Sequence, residues 1–263
     1  MSLRKIEKSE YSRFIEYAKR CSANKVYPMS IAEGYQEGDI FVSSEEDFVM
    51  FWHYCGFVYF SGSPLKALLE EIYEEYLSQE RERRFIIITD DEAIKDFFSK
   101  KSDVIIDKRF EYAFGAVDDD TEDKTDSSIG NTAEDNSKIG IERISEKNID
   151  RIHGRIIPSF SWDTKEAFLE KGLGYVAVEG EKIAAVAFSS AVSSDEVDIG
   201  VETDPDYRRR GLSARLAVKM CEEIIKLGKK PVWAHAAANV ASGKTAERAG
   251  FVKTKENYVI RKS

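Results

Sequence analysis

Residues 197–216, VDIGVETDPDYRRRGLSARL, read as the end of a strand, a short turn, a basic glycine-containing loop and the start of a helix. The helix runs from Gly211 to about Leu227, with apolar rows through Leu212, Leu216, Met220 and Ile224 and through Ala217, Cys221 and Ile225. A strand that feeds a helix in this way leaves the first N–H groups of the helix unpaired, at the positive end of its dipole. That end suits an anion such as a phosphate. Gly211 lets the backbone come close, Ser213 is small for the same reason, and Arg208, Arg209 and Arg210 add charge. No lysine-serine pair of the Walker type follows and no GxGxxG is present, so neither an ATP loop nor a dinucleotide fold is indicated. Taken alone, RRRGLS is equally a solvated basic turn.

The chain before this stretch divides by composition. Residues 118–137 carry eight acidic side chains against one lysine and little to bury, which supplies most of the net charge of -9. Residues 117–138 are therefore expected to be an acidic linker or loop. Ahead of it, residues 1–116 form a smaller α+β domain. Its expected elements are a helix over Ser9–Arg20, a strand pair over Phe48–Phe60 turning at Gly56, and a helix over Pro64–Gln79. A buried strand at Phe85–Thr89, a helix at Asp91–Lys100 and one or two strands over Val104–Phe114 follow. Behind the linker, residues 139–263 read as helices at Ser145–Ile152 and Asp163–Lys171 and a hairpin over Tyr175–Val192. The strand Glu196–Thr203, the loop and its helix come next. A strand at Pro231–Ala236, a helix at Ser242–Ala249 and a strand at Phe251–Arg261 close the chain. The fold class expected is α+β, a mixed sheet flanked by helices.

The negative balance argues against a nonspecific nucleic-acid binder. MSLRKIEKSEYSRF has no apolar signal core, and no run of about 18 apolar residues appears. Cys21, Cys55 and Cys221 are scattered and odd in number, as in a reducing compartment. A cytoplasmic protein that engages no membrane is expected. His53 and Cys55 fall on one strand face, but two ligands fall short of the four or so that zinc wants, so no metal is expected.

The basic loop and its surroundings resemble the GNAT acetyltransferase superfamily. Arg208, Gly211 and Ser213 match its cofactor signature of Gln or Arg, two variable residues, Gly, one variable residue and Gly or Ala, with Ser in the last place. TDPDY (203–207) resembles its strand end and lead-in, and NVASGKTAERAGF (239–251) resembles its asparagine-initiated helix closing on Gly-Phe. PSFSW (158–162), GLGYVAV (172–178) and PVWAH (231–235) are similar to a bacterial subgroup with an added N-terminal domain. The resemblance covers about residues 139–263. It implies a GNAT fold, a mixed and mostly antiparallel sheet with splayed central strands. The smaller domain ahead of it would be a degenerate GNAT-like half that helps to shape the acceptor site.

The resemblance also implies acetyl-CoA as co-substrate and acetyl transfer by direct attack of an amine. Arg208, Arg209, Arg210, Gly211, Leu212, Ser213 and Ala214 would hold the pyrophosphate. Val201 and Thr203 would line the thioester end of the strand, Asn239 would contact the pantetheine or a water near the thioester, and Ser242 would be a further cofactor contact. The acceptor would be a small-molecule amine or a peptide, and a homodimer is compatible with this reading. The tyrosine that protonates the leaving thiolate in many members falls at Ala246 here. His235 could replace it, since imidazole titrates near neutral pH, or could be a polar strand-end residue. Glu202 and Glu196 could relay the amine proton, or could be surface strand residues, and Asp198 shares that ambiguity. The missing tyrosine leaves a second reading open, a GNAT-like module that binds CoA with reduced catalysis.

Overall fold

A computed structural model describes residues 2–115 and 136–263. The acidic stretch expected over 117–138 therefore lies outside the described residues except at its last three positions. The first half contains β1 (Arg4–Lys5), a 3-10 turn at Lys8–Phe14 running into α1 (Ile15–Arg20), α2 (Val26–Ala32), β2 (Gly38–Val42), β3 (Val49–His53) and β4 (Phe57–Ser61). It continues with α3 (Lys66–Ile72, prolonged by a π turn to Leu77), β5 (Ile86–Thr89), α4 (Glu92–Phe98) and β6 (Val104–Phe114). The second half contains β7 (Ile139–Arg143), α5 (Lys165–Lys171), β8 (Gly174–Glu179), β9 (Lys182–Val192) and β10 (Glu196–Thr203). It ends with α6 (Leu212–Lys226), β11 (Lys230–Ala236), α7 (Val240–Arg248) and β12 (Phe251–Lys262).

The short strands β1, β2 and β7 and the helix α2 were not among the expected elements, and one expected helix is reduced to a single turn. All seven residues of α2, VYPMSIA, are buried, so the helix has no polar face to set a period. Pro28 sits in its first turn, where a missing N–H costs little. The helix expected over Ser145–Ile152 is only a 3-10 turn at Ile149–Arg151. The chain turns extended at Ile152, φ -78° and ψ 122°, which ends the turn after three residues. Asn148 holds the entry to the turn: its Oδ1 accepts the Ser145 N–H at 2.9 Å and its Nδ2 donates to the Arg143 carbonyl at 3.1 Å.

The twelve strands of the described residues form one sheet in the order β1-β2-β3-β4-β5-β12-β6-β11-β10-β9-β8-β7. The β4–β5 and β10–β11 contacts are parallel and the other contacts are antiparallel. The sheet crosses the division expected between residues 116 and 139. β6, from the first half, lies between β11 and β12 of the second half and pairs with both. β12 in turn pairs with β5 of the first half.

The halves share one succession of elements. β3–β4–α3–β5–α4–β6 corresponds to β9–β10–α6–β11–α7–β12, with each final strand lodged beside the other half's parallel strand. The core is continuous across this exchange: Ala191 and the half-buried Val232 and Phe160 pack into the cluster under α1 and α2.

Candidate active site

β10 and β11 begin as a parallel pair and then part. Their ladder holds at Glu196–Lys230, Val197–Pro231 and Asp198–Val232 only. Beyond that point β10 stays with β9 as far as Thr203, while β11 stays with β6 as far as Ala236. A bulge between Asp198 and Ile199 marks the fork, and a bulge bends its strand and turns it away from a neighbour. The result is a cleft between two strand edges with backbone groups facing into it.

The basic loop stands at the open end of this cleft. Arg209 and Gly211 both have left-handed backbones, with φ of 65° and 74°, and Gly211 is the N-cap of α6. Among the described residues no side chain caps that terminus, which leaves its first N–H groups pointing toward the cleft mouth, as an anion would need. Thr203 and Ser213 join their hydroxyls and tie the strand end to the helix start. Tyr207 is buried beneath the loop, donates to Glu179 at 2.7 Å, and carries the Arg210 guanidinium 4.9 Å from its ring centre. Arg208 and Arg209 are exposed. The structure thus brings Val201, Thr203 and Arg208–Ala214 to one place, with Leu212 turned into the core as an anchor. Asn239 caps α7 by accepting the Ser242 N–H at 3.2 Å. The Ser242 hydroxyl accepts the Trp233 indole N–H at 3.1 Å.

The expected acid and bases are placed unevenly. Oε2 of Glu202, past the fork, accepts the Ile156 N–H at 3.0 Å. Glu202 lines a cavity of about 500 Å³ together with His153, Arg151, Lys182 and Val186. Glu196 lies behind the fork, in the paired stretch, 3.6 Å from the Lys25 ammonium. His235 is buried; its Nδ1 donates to the Ala236 carbonyl at 2.8 Å, and the Tyr112 hydroxyl donates to its Nε2 at 3.2 Å. Burial holds its protonation below the usual imidazole range. Gly243 of α7 keeps this arrangement possible, because a Cβ there would sit 2.9 Å from His235 Nε2. Ala246 is fully buried. His53 Nδ1 lies 3.2 Å from Cys55 Sγ and accepts the Cys55 N–H at 3.2 Å, both within the core. Burial pulls His53 down to about 3 and pushes Cys55 up to about 12.

Four residues at the fork were not singled out in the sequence. Tyr27 of α2 donates a 2.7 Å hydrogen bond to Asp198, the last paired residue of β10. Arg109, Glu111 and Tyr112 come from β6. Nothing local marks them: Tyr27 lies in an all-buried helix, and the β6 residues read only as strand. The strand exchange alone brings them to β11.

A sequence model described as GNAT acetyltransferase matches residues 19–260. The match spans both halves. A protein named [ribosomal protein bS18]-alanine N-acetyltransferase from Salmonella typhimurium is 28% identical over 97 residues. The match takes in 35% of this chain and 66% of that protein's length. A solved GCN5-related N-acetyltransferase-like protein from Streptococcus suis superposes with a TM-score of 0.71 at 20% identity, over 98% of this chain and all of its own. A GCN5-related N-acetyltransferase from Sphaerobacter thermophilus gives 0.57 at 10% identity, over 99% and 95% of the two chains. At these identities the structures establish a shared fold, and they share it over both halves.

Proposed function

The chain belongs to the GNAT acetyltransferase family, and from that premise we propose that it is an acetyl-CoA-dependent N-acetyltransferase. The observation that carries the proposal is the fork of β10 and β11, opening directly onto the uncapped N-terminus of α6. The pyrophosphate belongs at that terminus, where the free N–H groups and the arginines meet two charges. The pantetheine follows the cleft, and backbone N–H groups past the bulge polarise the thioester carbonyl. The amine nitrogen attacks that carbonyl, the new N–C bond forms, and the C–S bond breaks as CoA leaves.

Two protons must move. The amine gives one up, and Glu202 is the carboxylate beside the open cavity that we assign to take it. Glu196 is held with Lys25 behind the fork. The leaving thiolate needs the other proton. Ala246 cannot supply it, and both ring nitrogens of His235 are occupied, so water in the cleft is assigned that role. The acceptor is an amine on a small molecule or a peptide. The Salmonella relative, named for acetylating an alanine of a ribosomal protein, favours a peptide.

Buried Ala246 favours a second reading, binding with little catalysis. Two measurements decide. Acetyl-CoA in large excess raises the melting temperature if the cleft binds it; an unmoved melting temperature removes both readings. Release of free thiol from acetyl-CoA in the presence of amines then separates an enzyme from a binding module.

A further inference from the structure

β9 outruns its neighbour β8. Their pairing ends at Gly174–Phe188, and the Ser189 N–H closes it on the Leu173 carbonyl at 2.8 Å. The bulge that marks the fork lies just beyond, and its extra residue belongs to β9. Asp198 pairs with Ala191 and Ile199 with Ser189, which leaves Ser190 between them without a partner on β10. Ser190 and Ala191 are buried. The Ser190 carbonyl and the Val192 N–H thus lie on a stretch that β8 has left, and buried backbone groups need partners.

One side chain of the first half supplies them. Gln36 is 6% exposed and follows α2 on a turn where the Tyr35 and Gln36 N–H groups both bond the Ser30 carbonyl. Its Oε1 accepts the Val192 N–H at 3.1 Å, and its Nε2 donates to the Ser190 carbonyl at 3.0 Å. The side-chain amide bonds the groups on either side of Ala191 as the peptide group of an adjoining strand would. The same Nε2 donates to the Ser161 carbonyl at 3.2 Å. That carbonyl ends the segment whose Ile156 N–H holds Glu202, and the next residue, Trp162, donates its indole N–H to the Ser189 carbonyl at 2.8 Å. Glu33, on the same turn as Gln36, accepts the Ser194 N–H at 2.7 Å. On the β10 side of the bulge, Gly200 has no room for a Cβ beside Ser190 Oγ and the Phe188 ring. β10 therefore lies hard against the bulge and follows it if it moves.

We propose that Gln36 is a positioning residue. Through it the first half sets the bulge, and with the bulge the course of β10 past the fork and the placing of Glu202. The assignment rests on the acetyl-transfer reading and gives the first half a part in it. In that reading the backbone N–H groups past the bulge meet the thioester carbonyl, and Glu202 takes the amine proton. Both tasks depend on placement that a shift of about 1 Å spoils. The pyrophosphate sits at the α6 terminus, which makes no contact with Gln36. Loss of the amide therefore costs turnover and spares cofactor binding.

The test uses the full chain, thiol release from acetyl-CoA with the best acceptor of an amine panel, and the melting shift given by acetyl-CoA. Gln36→Met keeps the length of the side chain and removes the amide. Gln36→Ala leaves space for water to bond the three backbone groups without tying them to the first half. Ser43→Ala removes a buried hydroxyl at the β2–β3 turn, away from the fork, and is the control for stability alone. All are assayed below their melting transitions. The expected kcat of the Gln36 variants is about 100-fold below the parent, and about tenfold below at the least. The melting shift stays, and Ser43→Ala turns over like the parent. A fall of less than about tenfold in either folded Gln36 variant, an equal fall in Ser43→Ala, or loss of the melting shift along with kcat, each overturn the proposal and leave the acetyl-transfer reading intact. Failure of both Gln36 variants to fold also overturns it, because Gln36 would then hold the whole fold and not the fork. A parent chain that acetyl-CoA does not stabilise, or that releases no thiol, overturns the acetyl-transfer reading, and this proposal falls with it.

Discussion

The Tyr27 hydroxyl donates a 2.7 Å hydrogen bond to Oδ2 of Asp198, across 171 positions of sequence. It joins a buried helix of the first half to the last paired residue of the forked strand. Both groups are out of water, so the bond has no solvent competitor. Tyr27→Phe leaves the carboxylate without that donor, and unfolding by denaturant is expected to show a loss of about 1–3 kcal/mol. A variant as stable as the parent would mean that water replaces the hydroxyl.

Two buried groups pull the acid stability in opposite directions. Burial raises Asp198 from its ordinary 3.8 to about 6, so between those values the folded state holds the extra proton and stability falls as pH rises. Burial lowers His53 from 6.5 to about 3, so there the unfolded state holds the extra proton and stability rises with pH. Each effect is on the order of 3 kcal/mol or more, and between about pH 4 and 6 they oppose. Asp198→Asn should make stability climb more steeply with pH in that window, and His53→Gln should flatten or reverse the climb. Denaturant midpoints taken across the window check both signs, and slopes that match the parent in both variants would contradict the assignment.

Gly211 stands at φ 74° with nothing within 4 Å of where a Cβ would be. Gly211→Ala therefore meets no clash and carries only the cost of a left-handed backbone, about 1 kcal/mol. Gly211→Glu adds a carboxylate at the helix terminus that we assign to the pyrophosphate. The expected result is a folded protein whose melting temperature no longer responds to acetyl-CoA. Unaltered affinity in the Glu variant would remove the loop from the binding site.

The exchange of β6 and β12 makes each half depend on the other. A fragment of residues 139–263 lacks β5 and β6, so one edge of β11 and both edges of β12 have no partner strand, and the Phe110, Tyr112 and Phe114 packing is lost. Circular dichroism and thermal melting of that fragment should show no cooperative transition. A fragment that melts cooperatively and binds acetyl-CoA would show that the second half folds alone.

His235 is expected to be dispensable for chemistry. With both ring nitrogens engaged and burial disfavouring its charged form, His235→Gln should lower stability yet change kcat by less than about tenfold. A loss of about 100-fold or more, the size expected for removing a general acid, would return the proton-donor role to the imidazole.

Much of the site was legible along the chain because it is local. Strand, turn, loop and helix follow one another within residues 196–227, and the N-cap glycine, the arginines and the apolar rows of α6 are properties of neighbours in sequence. Asn239 at the start of α7 and the succession of elements in both halves could be read in the same way. The partners of a strand could not. The apolar pattern of β6 is the same whichever edges it joins, so nothing in Val104–Phe114 shows that it enters between β11 and β12. The all-buried α2 has no period to show which residue faces the fork. Asp198 was one acid among several on its strand until the tertiary structure buried it under Tyr27, beside Arg109. Loop chemistry follows from covalent neighbours and backbone angles, whereas the fork, the strand exchange and the Tyr27–Asp198 contact depend on which edges pair and what is shut away from water, and only the assembled sheet decides those.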